Sequence, residues 1–131
     1  MDPISVINAL LAAENAHDVD AAMALFAEDA VADLAVERRT GHAEIRDWQQ
    51  SLADGHFHME LRGEPEVTGN TVRFPNRLDL DMFKNLGLGT VEAVSTAVVE
   101  DGKIKHYTFA LTPEYLTRLQ AALASGKKLA N

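Results

Sequence analysis

No cysteine occurs anywhere in the chain. Disulfides, thiolate metal sites and cysteine nucleophiles are therefore excluded. Positive charge is scarce as well: 12 Lys and Arg stand against 20 Asp and Glu, a net charge of −8. The basic doublets Arg38-Arg39 and Lys127-Lys128 are too short to build a phosphate-binding patch. Nucleic acid and anionic membrane are not expected as partners. No apolar run is long enough to span a bilayer, and MDPISVINALLAAENAHD lacks the basic start and cleavage site of a leader. The expected compartment is the cytoplasm. Also missing are a Gly-rich phosphate loop, a Gly-x-Ser-x-Gly and a His-Glu-x-x-His, so nucleotide, serine-hydrolase and zincin chemistries have no support.

What is present is an ordinary globular composition, 47% hydrophobic and 24% charged over 131 residues. That length supports one core, and residues 1–131 read as a single domain. The stretch from Thr71 to Thr112 reads as three strands, the last two joined at Glu100-Asp101-Gly102-Lys103. Asp-Gly is among the strongest short hairpin signals. Period-two alternation puts Val94, Thr96 and Val98 on one face and Val91, Ala93, Ser95 and Ala97 on the other. After the turn, Ile104, His106, Thr108 and Ala110 oppose Tyr107, Phe109 and Leu111. Neither face is charged along its length, so both are expected to be covered.

Asp2-Pro3 suits a helix start, and Ile7, Leu10, Leu11 and Glu14 share a narrow buried stripe that ends in a carboxylate. Asp18 can cap a second helix, Val19 to Ala27, and Ala30 to Val36 reads as a strand followed by a charged loop. A third helix from about His42 to Ala53 places Ile45, Trp48, Gln49 and Leu52 on one side. His56 to Arg62 alternates as a strand with Phe57, Met59 and Leu61 inward. Asp81 to Gly87 reads as a helical turn capped by Asp81, and Thr112-Pro113-Glu114 opens a last helix. Helices gathered first and antiparallel strands after them indicate α+β: three N-terminal helices on a curved mixed sheet, plus a C-terminal helix.

The segments NAHDVDAAMALFAEDAV, TGHAEIRDWQQ and VVEDGKIKHYTFAL, in that order, resemble the nuclear-transport-factor-2-like superfamily, in its SnoaL-like branch of polyketide cyclases and limonene-epoxide-hydrolase-like enzymes. The resemblance implies a cone-shaped fold whose interior holds a small, mostly apolar organic molecule, with no cofactor. It also implies places for catalytic groups. The tyrosine and two aspartates of ketosteroid isomerases fall near Leu10, Leu34 and Ser95 or Thr96, and the cyclase aspartate falls on Phe109. Of the epoxide-hydrolase pattern, Arg77-Leu78-Asp79 matches the Arg-x-Asp, while the remaining members fall near Ala32, Leu34 and Phe109.

Arg77 and Asp79 are two apart on one strand and so leave the same face. Inside a dry cone they could align a water or move a proton, as hydrolase- or isomerase-like catalytic residues. On a solvated face they would be an ordinary ion pair. The expected substrate-binding residues are Leu34, Trp48, Met59, Tyr107, Phe109 and Leu111, with the Tyr107 hydroxyl as a polar handle. The alternative is a non-catalytic binding or dimerisation module whose catalytic carboxylates are replaced by Ala32, Leu34 and Phe109. His56, His58 and Glu60 have metal-ligand spacing along one strand face, but Arg62 continues that face and makes a solvated surface the better reading; no metal is expected. An apolar outer face of Val72, Phe74, Leu78, Val94, Val98 and Ile104 leads to the expectation of a homodimer.

Overall fold

In the computed structural model, which describes residues 2–127, the hairpin turn forms where expected. Asp101 and Gly102 take φ values of 52° and 74°. Two consecutive left-handed residues are what a two-residue turn matching the strand twist requires. They join β6 (Val91–Glu100) to β7 (Lys103–Leu111). Before them come β1 (Phe26–Asp33), β2 (Arg38–Thr40), β3 (His58–Leu61), β4 (Glu66–Thr68) and β5 (Thr71–Asp79). The helices are α1 (Pro3–Asn15), α2 (Val19–Met23), α3 (Gly41–Asp54), the short α4 (Asp81–Asn85) and α5 (Pro113–Ala124).

The sheet runs β2-β1-β7-β6-β5-β3, with β4 also on β5, and β1–β7 is its parallel pair among antiparallel ones. This is the expected α+β architecture, a curved mixed sheet packed against helices. The first three helices start for local reasons. The Asp2 carboxylate accepts from the Ser5 amide at 2.9 Å, and that of Asp18 accepts from Ala21 at 3.0 Å. At the start of α3, Glu44 reaches back to the Thr40 amide at 3.0 Å.

On β5, Val72, Phe74, Asn76 and Leu78 are buried while Arg73 and Arg77 are exposed. Pro75 interrupts this strand without breaking the ladder. Its carbonyl accepts from Arg62, between the pairings of β3 and β4, so its missing N–H falls where no strand asks for one.

Several expectations are corrected. Val72, Phe74, Leu78 and Ile104 belong to the interior and not to the outer face. For Ile104 the cause is a bulge: the β6–β7 register shifts between Val98 and Val99, so Ile104 pairs with Val99 and Lys105 is left over. One extra residue reverses the alternation. The second helix stops at Met23 because Phe26 begins β1, and β2 and β4 form where loops were expected. Asp81 does not cap α4: Leu80 holds that position, and the Asp81 carboxylate is 2.7 Å from His56 Nδ1.

Candidate functional site

Between the helices and the inner face of the sheet lies a cavity of about 200 Å³. Its walls are mainly apolar: Trp48 and Leu52 from α3, Phe57 and Met59 around β3, Leu78 and Leu80 around β5. Phe83 of α4, Tyr107 and Phe109 of β7 and Leu119 of α5 complete them. The segment Leu34 to Glu37 also lines it, and its exposed Val36 and Glu37 mark the mouth. Phe26, Trp48, Tyr107 and Phe74 form a chain of ring contacts with centroids 6.1, 5.4 and 6.1 Å apart. Phe26 and Phe74 thus back the part of the wall that Trp48 and Tyr107 form.

The polar groups on this wall are few. The Ser51 hydroxyl donates to the Trp48 carbonyl at 2.6 Å, and Tyr107 donates to Ser95 Oγ at 3.1 Å. Glu37, at the rim, pairs with Arg39 at 3.1 Å. Glu14, near the end of α1, is different. It is 4% exposed, its Oε2 accepts from Gln49 Nε2 at 2.8 Å, and its Oε1 has no partner. Burial pushes this carboxyl up to about 7, and the Gln49 bond acts in the opposite direction. Burial and the nearby Glu14 push the Tyr107 phenol up as well, so it stays neutral.

Glu14 is held from two directions. The next residue, Asn15, accepts from the Met59 amide and donates to the Met59 carbonyl, both at 2.9 Å, stitching α1 to β3. Gln49 approaches from the apolar stripe of α3. The signal was in the sequence: two polar residues, Glu14 and Gln49, sit in the core-facing stripes of two helices.

Of the six expected wall residues, Leu34, Trp48, Met59, Tyr107 and Phe109 line the cavity. Leu111 does not; it is buried in the core opposite Ala93. The placement of Arg77 and Asp79 in the interior is corrected. Both leave β5 on the outer face, because the inner positions of that strand are taken by Phe74, Asn76 and Leu78. Arg77 pairs with Glu60 at 2.9 Å and Asp79 accepts from Thr90 Oγ1 at 2.5 Å. The Arg77 guanidinium, then His58, holds the Glu60 carboxyl below its ordinary value. His56 turns to Asp81 while His58 lies 3.5 Å from Glu60, so the three residues with metal-ligand spacing do not converge.

Comparison with known proteins places this geometry. A model of the SnoaL-like domain matches residues 7–107. The chain belongs to the SnoaL-like domain family. Among solved structures it is similar to SalBIII, an epoxide hydrolase/cyclase-like enzyme in pyran ring formation of the polyether salinomycin. The identity is 19% and the TM-score 0.76, covering 86% of this chain and 92% of that one. An NTF2-like protein of unknown function from Cytophaga hutchinsonii matches at 15% identity and TM-score 0.73, over 89% and 96% of the two chains. A de novo designed protein with a curved β-sheet matches at 16% identity and TM-score 0.68, over 94% and 96%. The search of curated proteins found no match. At identities of 15–19% these likenesses show the fold alone. No helix among the described residues is long and apolar enough to cross a membrane.

Proposed function

We propose that this SnoaL-like chain binds a small, mostly apolar organic molecule in the interior cavity. The observation that carries the reading is the composition of the wall: aromatic and aliphatic side chains around a hole of about 200 Å³. That volume is below the roughly 300–1,000 Å³ of drug-sized pockets and above the ~150 Å³ cavity that takes benzene. A one- or two-ring molecule of roughly ten heavy atoms fits the wall chemistry. The Arg77–Asp79 pair takes no part, since its side chains leave the other face.

Trp48, the single tryptophan of the chain, lines the cavity and reports occupancy. Titration with the bicyclic hydrocarbon indane is expected to change Trp48 emission and raise Tm. If neutral probes from benzene to camphor leave both unchanged, the binding reading is wrong.

A homodimer across the outer face is part of the same reading. Pro75, Val94, Thr96, Val98 and Thr108 are half-buried there and uncharged, and the β5–β6–β7 register puts them side by side. Charged pairs of both signs flank them: Arg73–Glu66, with Arg73 directly beside Thr96, and Arg77–Glu60, Arg62–Glu92 and Arg38–Asp33. An uncharged centre with a mixed-charge rim suits a second copy of the chain. Light scattering is expected to give twice the chain mass, and Thr96→Arg the single mass; a monomer in both cases would rule the dimer out.

A further inference from the structure

Resting on the ligand-binding reading, we infer that Glu14 is a proton-donating recognition group and that the ligand presents one uncharged oxygen, a carbonyl or cyclic ether, on an otherwise apolar frame. Four observations lead there. Glu14 lines the cavity while being 4% exposed. Its Oε2 is occupied as an acceptor by Gln49, so the proton of the neutral acid belongs on Oε1. Oε1 has no partner in the protein, and a buried donor without an acceptor is costly. The other polar groups of the wall spend their protons on the protein, Ser51 on Trp48 and Tyr107 on Ser95.

The surroundings favour the neutral form. From β7 it faces Tyr107, which stays protonated. From α3 it faces Gln49 and Trp48, neither of which carries charge. His17 and Asp18 share a shallow cleft with it at the α1–α2 junction. There His17 Nε2 lies 2.9 Å from the Phe57 carbonyl, and Asp18 caps α2. Glu37 at the rim is paired with Arg39. No described cation contacts the Glu14 carboxyl to hold it ionised. A carboxylate ligand would meet a second acid here, and an amine would be stripped of water beside apolar walls; a neutral oxygen acceptor completes the site.

The test compares 2-indanone with indane, which differ by the carbonyl. With the carboxyl at about 7, its protonated fraction falls about tenfold between pH 6 and pH 8. The ketone-to-hydrocarbon affinity ratio should fall about tenfold over the same interval in the wild-type protein. In Glu14→Gln, which keeps a donor but cannot ionise, the ratio should stay flat. Gln49 is a positioning residue: Gln49→Leu removes the bond that opposes burial, so the midpoint of the wild-type profile should move up. A pH-independent ratio in the wild type, or an unchanged profile in Glu14→Gln, overturns the assignment while indane binding leaves the cavity reading intact. If neither probe binds at any pH, the cavity reading fails and this inference with it.

Discussion

The two faces of β5 show what the chain does with charge. Outside, Arg73 and Arg77 pair with Glu66 and Glu60 in solvent, and Asp79 bonds to Thr90. Inside, one strand-width away, Phe74, Asn76 and Leu78 are buried, and Asn76 donates to Ser95 Oγ at 3.2 Å. Exposed pairs between long side chains are worth at most about 1 kcal/mol and are screened by salt. A single carboxyl in the interior has its protonation reset. Charge density is therefore a poor guide to chemistry here, and position is a better one.

The contrast is sharpest at neighbouring residues. Phe74→Ala empties a fully buried ring site and should cost about 3–5 kcal/mol in chemical denaturation. Arg73→Ala, one residue earlier and exposed, should stay within about 0.5 kcal/mol. Similar losses for both would mean that the faces are not as different as their burial.

Glu14 gives the next effect. A carboxyl titrating at 4.5 when unfolded and about 7 when folded costs nothing below the lower value, where both states are protonated. As pH rises from 4.5 towards 7 the unfolded chain loses its proton first, so stability falls by up to roughly 3 kcal/mol and then levels off. Glu14→Gln should therefore match the wild type near pH 4 and exceed it by nearly that amount at pH 8. A wild-type-minus-variant difference that is constant with pH would show that Glu14 ionises normally.

The smallest effect belongs to the outer pair. Arg77→Ala and Asp79→Asn should leave probe binding in the cavity unchanged and stability within about 0.5 kcal/mol. Loss of binding in either would return that pair to the ligand site.

Much of the frame was legible because periodicity and turn chemistry are local. The Asp101-Gly102 turn, the Pro3 and Pro113 helix starts and the alternation of β6 all follow from adjacent residues. The bulge at Lys105 was not legible, since a register shift depends on which partner residue wins across the strands. Arg77 and Asp79 share a face by spacing alone, but which face looks inward is set by the packing of Phe74 and Leu78 against the helices. Glu14 was visible as the carboxylate ending an apolar stripe. Its meaning came only with Gln49, 35 positions away, across a helix contact that no local pattern encodes.

The clasp between Asn15 and Met59 has a consequence for solubility. β3 is a four-residue border strand that pairs with β5 on one side only. On its free side the Met59 amide and carbonyl are both taken by one carboxamide, which imitates a single rung of a missing neighbour. An edge that could template sheet growth from another molecule is thereby plugged. The residue that fastens the first helix also guards the protein against assembling through its own margin.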